Sequence, residues 1–128
     1  MNRQILIIAT IMGLLSVVLG AFGAHGLKEQ VAPEMFQSFE TGVKYQMYHA
    51  LVLLFLGITT VFSDKAKRAI FWPMLIGVVM FSGSIYLLST SEITGINFKP
   101  FALVTPLGGT VLIVSWCLLL VQCFRLKK

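Results

Sequence analysis

Residues 41–56 read TGVKYQMYHALVLLFL and change from polar to wholly apolar within one stretch. The second half, residues 50–56, contains only side chains that partition into hydrocarbon. The first half places two tyrosines, a glutamine and a histidine at the mouth of that apolar run. Polar side chains inside a membrane are costly and need partners, so they indicate a site by default. The stretch therefore predicts a membrane helix that carries a polar cluster near one end.

Three further apolar runs accompany this one, and the four together decide the fold class. Of the 128 residues, 57% are hydrophobic and 12% are charged, whereas soluble domains carry about 25% charged residues. A helix needs about 20 apolar residues to cross the hydrocarbon core of a bilayer. We predict an all-α integral membrane protein, a four-helix bundle that forms one domain over residues 1–128, with spans at about 5–23, 43–62, 70–88 and 105–124.

Turn and capping residues indicate how these spans begin. Ala32-Pro33-Glu34 is typical of a helix start, and residues 35–44 carry apolar side chains at helical spacing. This pattern predicts a short amphipathic helix that leads into span two, with Gly42 as a bend. Thr105-Pro106 has the form of an N-cap followed by a first-turn proline, so we expect the last helix to begin at Pro106. The alternative is a longer helix that kinks at this proline.

The distribution of lysine and arginine predicts the orientation. One side holds seven of these residues (Arg3, Lys65, Lys67, Arg68, Arg125, Lys127 and Lys128), and the other side holds three (Lys28, Lys44 and Lys99). Because cytoplasmic connections carry the excess of positive charge, we expect both termini to be cytoplasmic. The net charge of +5 lies at the ends of apolar runs rather than on a surface stripe, which argues against a nucleic-acid partner and favours the lipid bilayer.

This orientation places the unusual residues of all four spans in the outer half of the membrane. On span two, Gly42, Tyr45, Gln46 and His49 are spaced three, one and three apart and share one helical face. We expect a polar cluster drawn from several spans (His25, Tyr45, Gln46, His49, Ser82, Ser84 and Thr105). Small residues allow helix backbones to approach, and we expect close packing at Gly13, Gly20, Gly23, Gly83, Gly108 and Gly109.

The polar cluster has two interpretations that the sequence leaves open. Its side chains either bond to one another across helices, or they line a small outward-facing pocket for a lipid, quinone, ion or small metabolite. A third hypothesis makes His25 and His49 the axial ligands of a haem, a known arrangement of two histidines. Two histidines without further ligands are a weak pattern, so we assign neither a metal nor a cofactor.

The sequence contains no pattern typical of an enzyme. We find no nucleophile with a recognisable base, no paired carboxylates in the spans and no phosphate-binding loop. We therefore expect a non-enzymatic membrane protein that binds a small ligand or lipid or mediates helix association. One alternative is a subunit of a small transporter or channel, which at this size would form a homo-oligomer. The other alternative is the membrane haem or redox protein.

Four segments resemble the signature segments of one protein family: GAFGAHGL at 20–27, TGVKYQMYHA at 41–50, FSGSIY at 81–86 and TPLGG at 105–109. In this order, and over essentially the whole chain, they are similar to the small bacterial inner-membrane family of the YgdD/YwdK type, which has relatives among eukaryotic transmembrane proteins. The resemblance implies a four-span helical protein of the cell inner membrane. It implies no activity, because that family is one of unknown function.

Overall fold

Residues 1–127, the part of the chain that the computed structural model describes, form five α-helices. These are α1 (Asn2–Phe22), α2 (Pro33–Ile58), α3 (Asp64–Ser89), α4 (Ser91–Thr94) and α5 (Val104–Phe124). A π-helical turn at Gly23–Leu27 continues α1, and a 3-10 turn at Lys99–Phe101 precedes α5. Regular structure in this part of the chain is entirely helical, which confirms the all-α prediction.

Three helical segments within residues 1–127 are long and apolar enough to cross a membrane: Asn2–Leu27, Asp64–Ser89 and Lys99–Phe124. Each contains 26 residues, or about 39 Å of helix, against a hydrocarbon core of about 30 Å. Helix α2 also has 26 residues, but it is less apolar because the polar residues of the 41–49 segment occupy its middle.

The long helices pack in the order in which they occur in the chain: α1 against α2, α2 against α3, and α3 against α5. Helices α2 and α3 therefore lie in the centre, and α1 and α5 lie on the flanks. In agreement with this, 44% of the residues in the apolar stretch of α3 are buried, against 22% in α1 and 17% in α5. The flanking helices leave broad apolar surfaces for contact with lipid.

Two apolar clusters hold the helices together. The larger one runs along all four long helices and includes Ile5, Ala50, Leu53, Met74 and Leu112. The smaller one lies where the chain passes from α1 to α2, and its buried members are Leu27, Val31 and Phe39. Phe39 belongs to the amphipathic start of α2, so the apolar face predicted there packs against the turn that follows α1.

Helix α2 begins at Pro33, as expected, and continues through Gly42 without interruption to Ile58. The amphipathic start at residues 35–44 and the apolar run after it therefore form one helix. It also ends before residue 62, and α3 begins at Asp64 rather than near residue 70. The reason is Ser63, whose hydroxyl accepts a hydrogen bond from the Ala66 N–H at 3.2 Å and caps α3.

The start of α5 also differs from the prediction. The helix begins at Val104 with Leu103 at the N-cap position, and no side chain caps it. The Thr105 hydroxyl instead lies 2.5 Å from the Ser84 hydroxyl of α3, which makes the predicted N-cap wrong. Pro106 stands in the first turn, where its missing N–H leaves no helical bond unmade. Before this helix, Gly95 has a φ of 71° and forms the turn that its residue type indicates.

Candidate functional site

Gln46 lies at the centre of the polar cluster and connects three helices. Its side chain is 7% exposed, and Nε2 donates a hydrogen bond to the main-chain carbonyl oxygen of Met12 in α1 at 2.8 Å. Its Oε1 accepts a hydrogen bond from the Tyr86 hydroxyl of α3 at 2.7 Å. The Ser16 hydroxyl donates to the same Met12 carbonyl at 2.9 Å. One amide side chain of α2 thus binds α1 on one side and α3 on the other.

His49 extends the cluster to the last long helix. Its ring is 4% exposed, and Nε2 lies 3.1 Å from the indole Nε1 of Trp116 in α5. An indole nitrogen only donates, so His49 Nε2 is the acceptor and the ring proton of the neutral form resides on Nδ1. Nδ1 lies 2.6 Å from the Tyr45 carbonyl oxygen and donates to it. Both ring nitrogens of His49 are therefore engaged.

Two serines of α3 complete the bonds between helices. The Ser82 hydroxyl donates to the Gly42 carbonyl oxygen of α2 at 2.7 Å, and Ser84 pairs with Thr105 of α5. Gly42 permits the first of these contacts, because a Cβ at this position would lie 3.0 Å from the Tyr86 ring and 3.1 Å from the Ile85 side chain. The structure thus brings Gln46, His49, Ser82, Ser84 and Thr105 into contacts that join neighbouring helices.

Two residues expected in the cluster lie outside these bonds. Tyr45 is 40% exposed, and its ring packs against Phe81 with 4.9 Å between the ring centroids. His25 is exposed in the π-helical turn, where the sequence predicted a loop. Two residues before it, Gly23 packs against Phe39, which precedes His49 by ten residues, or about 15 Å along α2. The structure does not bring the two histidines together, and the paired haem ligands are not supported.

The six glycines expected at close helix contacts differ in their surroundings. A Cβ on Gly108 would lie 2.5 Å from the Phe81 main-chain nitrogen, and a Cβ on Gly23 would lie 2.9 Å from the Phe39 ring. The nearest atoms are at ordinary distances around Gly20 (3.6 Å), Gly109 (3.7 Å) and Gly13 (4.0 Å). A Cβ on Gly83 would have no neighbour within 4 Å, so close packing at that position is wrong.

Sequence reasoning missed other residues that hold the helices together. Gly57 and Gly77 face side chains at 2.7 Å and 2.8 Å from an added Cβ, and both lie within apolar runs where a small residue is easily overlooked. Tyr86 lies four residues after Ser82, and that helical spacing was an available signal. Nothing in the sequence indicated that the indole N–H of Trp116 donates to His49 instead of lying at the membrane interface.

Lys67, which in the sequence counts only among the basic residues that predict orientation, also has a structural role. The residue is only 2% exposed, although it lies in the first turn of α3. Its ammonium donates to Asn2 Oδ1 at 3.0 Å and to the Thr59 carbonyl oxygen at 2.6 Å, so both partners are neutral oxygens. Thr59 follows the last residue of α2, where a positive charge is favourable. Lys67 therefore fastens the start of α1 and the end of α2 to α3.

Two apolar cavities lie between α1 and α3, one after the other along both helices, and together we call them the α1–α3 groove. Its first part has a volume of about 320 Å³ and is lined by Gln4, Ile7, Ile8, Phe71 and Trp72. Its second part has a volume of about 220 Å³ and is lined by residues that include Met12, Leu15, Gln46, Val79, Gly83 and Tyr86. The missing side chain of Gly83 keeps this second part open.

The buried polar atoms of the cluster are all hydrogen-bonded in this part of the chain. Among residues 1–127, every buried side-chain nitrogen and oxygen has a hydrogen-bond partner. The same residues contain no group of three His, Cys, Asp or Glu side chains placed to hold a metal ion. In this arrangement the polar cluster connects helices. The cavities of the α1–α3 groove, in contrast, offer space for a ligand.

Comparison with known proteins gives a consistent set of relatives. A family model described as a protein of unknown function (DUF423) matches residues 19–109. The UPF0382 membrane protein YwdK of Bacillus subtilis is 40% identical, over 96% of this chain and 98% of its own length. The UPF0382 inner membrane protein YgdD of Escherichia coli K12 is 35% identical, over 99% of this chain and 94% of its own.

A third relative, from Staphylococcus saprophyticus, is also named a UPF0382 membrane protein and is 34% identical over 97% of this chain. No solved structure matches the chain. The names of the relatives agree with the long apolar helices in identifying a membrane protein. The chain therefore belongs to the UPF0382 membrane protein family, also described as DUF423, and this is the family whose signature segments it resembles.

Proposed function

We propose that this chain is a non-enzymatic, four-span protein of the cell inner membrane that holds the apolar chain of a lipid in the α1–α3 groove. Helix α2 is the fourth span in this proposal. It packs between α1 and α3, and its polar side chains are buried inside the bundle: Gln46 bonds to α1 and α3, and His49 bonds to Trp116 of α5. A helix of about 39 Å between two membrane-crossing helices is long enough to cross the bilayer with them.

Both termini lie on the cytoplasmic side in this proposal. The excess of lysine and arginine on that side supports it, although Lys128, one of the seven, lies outside the described residues. Further support comes from Lys67, which binds Asn2 at the start of α1. Ser63 and Arg125 line one small cavity, so the end of α5 is next to the start of α3. The two ends of the chain and the α2–α3 connection thus share one side.

The polar cluster serves to fix helix packing in this proposal. The observation that carries this role is the Gln46 side chain, both ends of which are bonded, each to a different helix. Individual hydrogen bonds between membrane helices contribute about 0.6 kcal/mol on average, so a set of several is needed to select one packing arrangement.

The α1–α3 groove supports the lipid-binding part of the proposal. In this proposal it opens between the two helices toward the membrane, and side chains such as Ile7, Leu15 and Val79 make its walls apolar. The residues of α3 that line its two parts lie between Phe71 and Tyr86, which are about 22 Å apart along the helix, or most of the hydrocarbon core. A long, narrow and apolar space of this length fits an acyl chain better than a polar metabolite.

Native mass spectrometry of the protein released from gentle detergent tests this proposal. We expect the unmodified protein to retain lipid and Gly83→Leu to retain much less, because a Cβ at this position has no neighbour within 4 Å and the leucine side chain would extend into the groove. The matched control is Ala21→Leu, which adds the same bulk on an exposed part of α1. Equal lipid retention in all three proteins would overturn the proposal. The same spectra give the number of subunits, which the transporter or channel alternative requires to exceed one.

A further inference from the structure

The end of the α1–α3 groove near the start of α1 carries positive charge. Trp72 and Ile7 line this end, and each has an arginine one helical turn before it: Arg68 in α3 and Arg3 in α1. Residues four apart lie on the same helical face, so both guanidinium groups belong to the groove side of their helices. Both arginines are exposed and therefore accessible to a ligand that occupies the groove.

The buried ammonium of Lys67 adds to this charge. It lies next to Arg68 in sequence and bonds to Asn2, the neighbour of Arg3, and its two partners are neutral oxygens that leave its charge uncompensated. The nearest acid in α3 is Asp64, which lies four residues before Arg68 on the same helical face, so one carboxylate stands against the three basic side chains Arg3, Lys67 and Arg68. The mouth of the groove thus keeps a net positive charge where the apolar walls end.

Trp72 marks the depth at which this change occurs. Its ring is 50% exposed and lines the groove between the charged turn and the apolar turns of α3. Tryptophan favours the level of the lipid headgroups, where one end of the ring is in hydrocarbon and the other in a polar medium. A lipid whose chain extends from Trp72 toward Gly83 therefore has its headgroup beside Arg3 and Arg68.

We infer that the lipid in the α1–α3 groove is an anionic phospholipid, whose phosphate is bound by Arg3 and Arg68. This inference rests on the proposed function, because it specifies the headgroup of the lipid whose chain the groove holds. Arginine binds phosphate oxygens through two parallel N–H donors, and two arginines at one site favour a headgroup with net negative charge over a zwitterionic one. With both termini cytoplasmic, the site lies in the inner leaflet.

Competition between two lipids with identical acyl chains tests the inference. Delipidated full-length protein is mixed with equal amounts of dioleoyl phosphatidylglycerol and dioleoyl phosphatidylcholine, and bound lipid is counted by native mass spectrometry. We expect the unmodified protein to prefer phosphatidylglycerol by about tenfold, because both lipids offer a phosphate but only phosphatidylcholine places a cation beside the two arginines. The double variant Arg3→Gln/Arg68→Gln should bind both lipids about equally, because the groove itself is unchanged.

The control is the double variant Arg125→Gln/Lys127→Gln, which loses the same charge on the same side of the protein, at the end of the peripheral helix α5. It should keep the preference, and loss of the preference in this control would overturn the inference in favour of general surface charge. If the unmodified protein binds both lipids equally while Gly83→Leu binds neither, the groove proposal stands and the anionic headgroup is refuted. If Gly83→Leu binds as well as the unmodified protein, the proposed function itself fails.

Discussion

The side-chain amide of Gln46 donates a hydrogen bond to the Met12 carbonyl oxygen at 2.8 Å, within a helix whose own main-chain bonds are already formed. The same carbonyl oxygen also accepts the Ser16 hydroxyl of α1 at 2.9 Å, so the Gln46 amide joins α2 to an oxygen that already has a partner within α1. The bond fixes the height of α2 relative to α1, since only one turn of α1 presents this carbonyl to the amide. The bond from Tyr86 to the amide oxygen then fixes α3 to the same height.

Replacement of Gln46 by leucine should destabilise the protein by about 1–3 kcal/mol, because the partly buried Tyr86 hydroxyl loses its acceptor and the Met12 carbonyl oxygen loses the amide donor. Thermal unfolding in detergent, followed by circular dichroism, measures the change. The control is Gln37→Leu, an exposed glutamine in the same helix. An unchanged melting temperature for Gln46→Leu would show that these bonds do not determine the packing.

Replacement of Trp116 by phenylalanine should lower stability by about 1 kcal/mol. The change keeps an aromatic ring at this position but removes the indole N–H, which is the hydrogen-bond donor to His49 Nε2 within residues 1–127. The matched change Trp72→Phe removes an indole N–H at an exposed position and should leave the melting temperature unchanged. If both variants unfold at the same temperature as the unmodified protein, the bond between α2 and α5 contributes nothing measurable.

Two glycine-to-alanine changes should shift stability in opposite directions. Gly108→Ala places a methyl group 2.5 Å from the Phe81 main-chain nitrogen and forces α3 and α5 apart. Gly83→Ala meets no atom within 4 Å, so the higher helix propensity of alanine should stabilise the protein by up to about 1 kcal/mol. Melting temperatures measured in one detergent test this prediction: Gly108→Ala should melt below the unmodified protein and Gly83→Ala at or above it. A loss of stability in Gly83→Ala would contradict the open surroundings of that residue.

Replacement of Lys67 by methionine should loosen the end of α2, because the Thr59 carbonyl oxygen and Asn2 Oδ1 both lose their donor. Hydrogen–deuterium exchange should become faster in the last turn of α2 and the first turn of α1. Lys65→Met removes the same charge from an exposed position two residues earlier and should not change the exchange. Uniform protection in both variants would argue against a fastening role for Lys67.

Reporter fusions test the proposed orientation. Alkaline phosphatase, which is active only outside the cytoplasm, should be active when it is inserted after Gly95 and inactive when it is fused after Lys127. Gly95 lies in the connection between α4 and the 3-10 turn, and a Cβ added to it would have no neighbour within 4 Å. We therefore expect an insertion at this position to be tolerated. The opposite pattern of activity would refute cytoplasmic termini.

The burial of Gln46 and His49 could be predicted because both share one face of a membrane helix and a polar side chain there must find partners. Their individual partners could not. Met12, Tyr86 and Trp116 lie 34, 40 and 67 residues away in the chain, and pairing over such distances depends on the relative height of whole helices. Helical periodicity establishes the face of a residue but not the height at which the neighbouring helix stands.

Gly83 is a second case in which the sequence could not predict the surroundings of a residue. The FSGSIY segment indicates close packing because it is rich in small residues, but Ser82 bonds to α2 and Ser84 bonds to α5. Successive helical residues point about 100° apart. Gly83 therefore faces neither partner helix and opens onto the α1–α3 groove. Gly108 also lies in a segment rich in small residues, but it packs directly against the main chain of α3. Composition alone therefore could not show that Gly108 is closely packed and Gly83 is not.

The packing of long helices in chain order has a consequence for how the protein is made. Each long helix after the first packs against the long helix that precedes it in the chain, so assembly can proceed in chain order with few long-range searches. The bonds from Lys67 to Asn2 and from His49 to Trp116 are exceptions, because they join α3 to α1 and α2 to α5. The His49 ring nitrogen stays without this partner until α5 has been synthesised, so this contact is among the last to form.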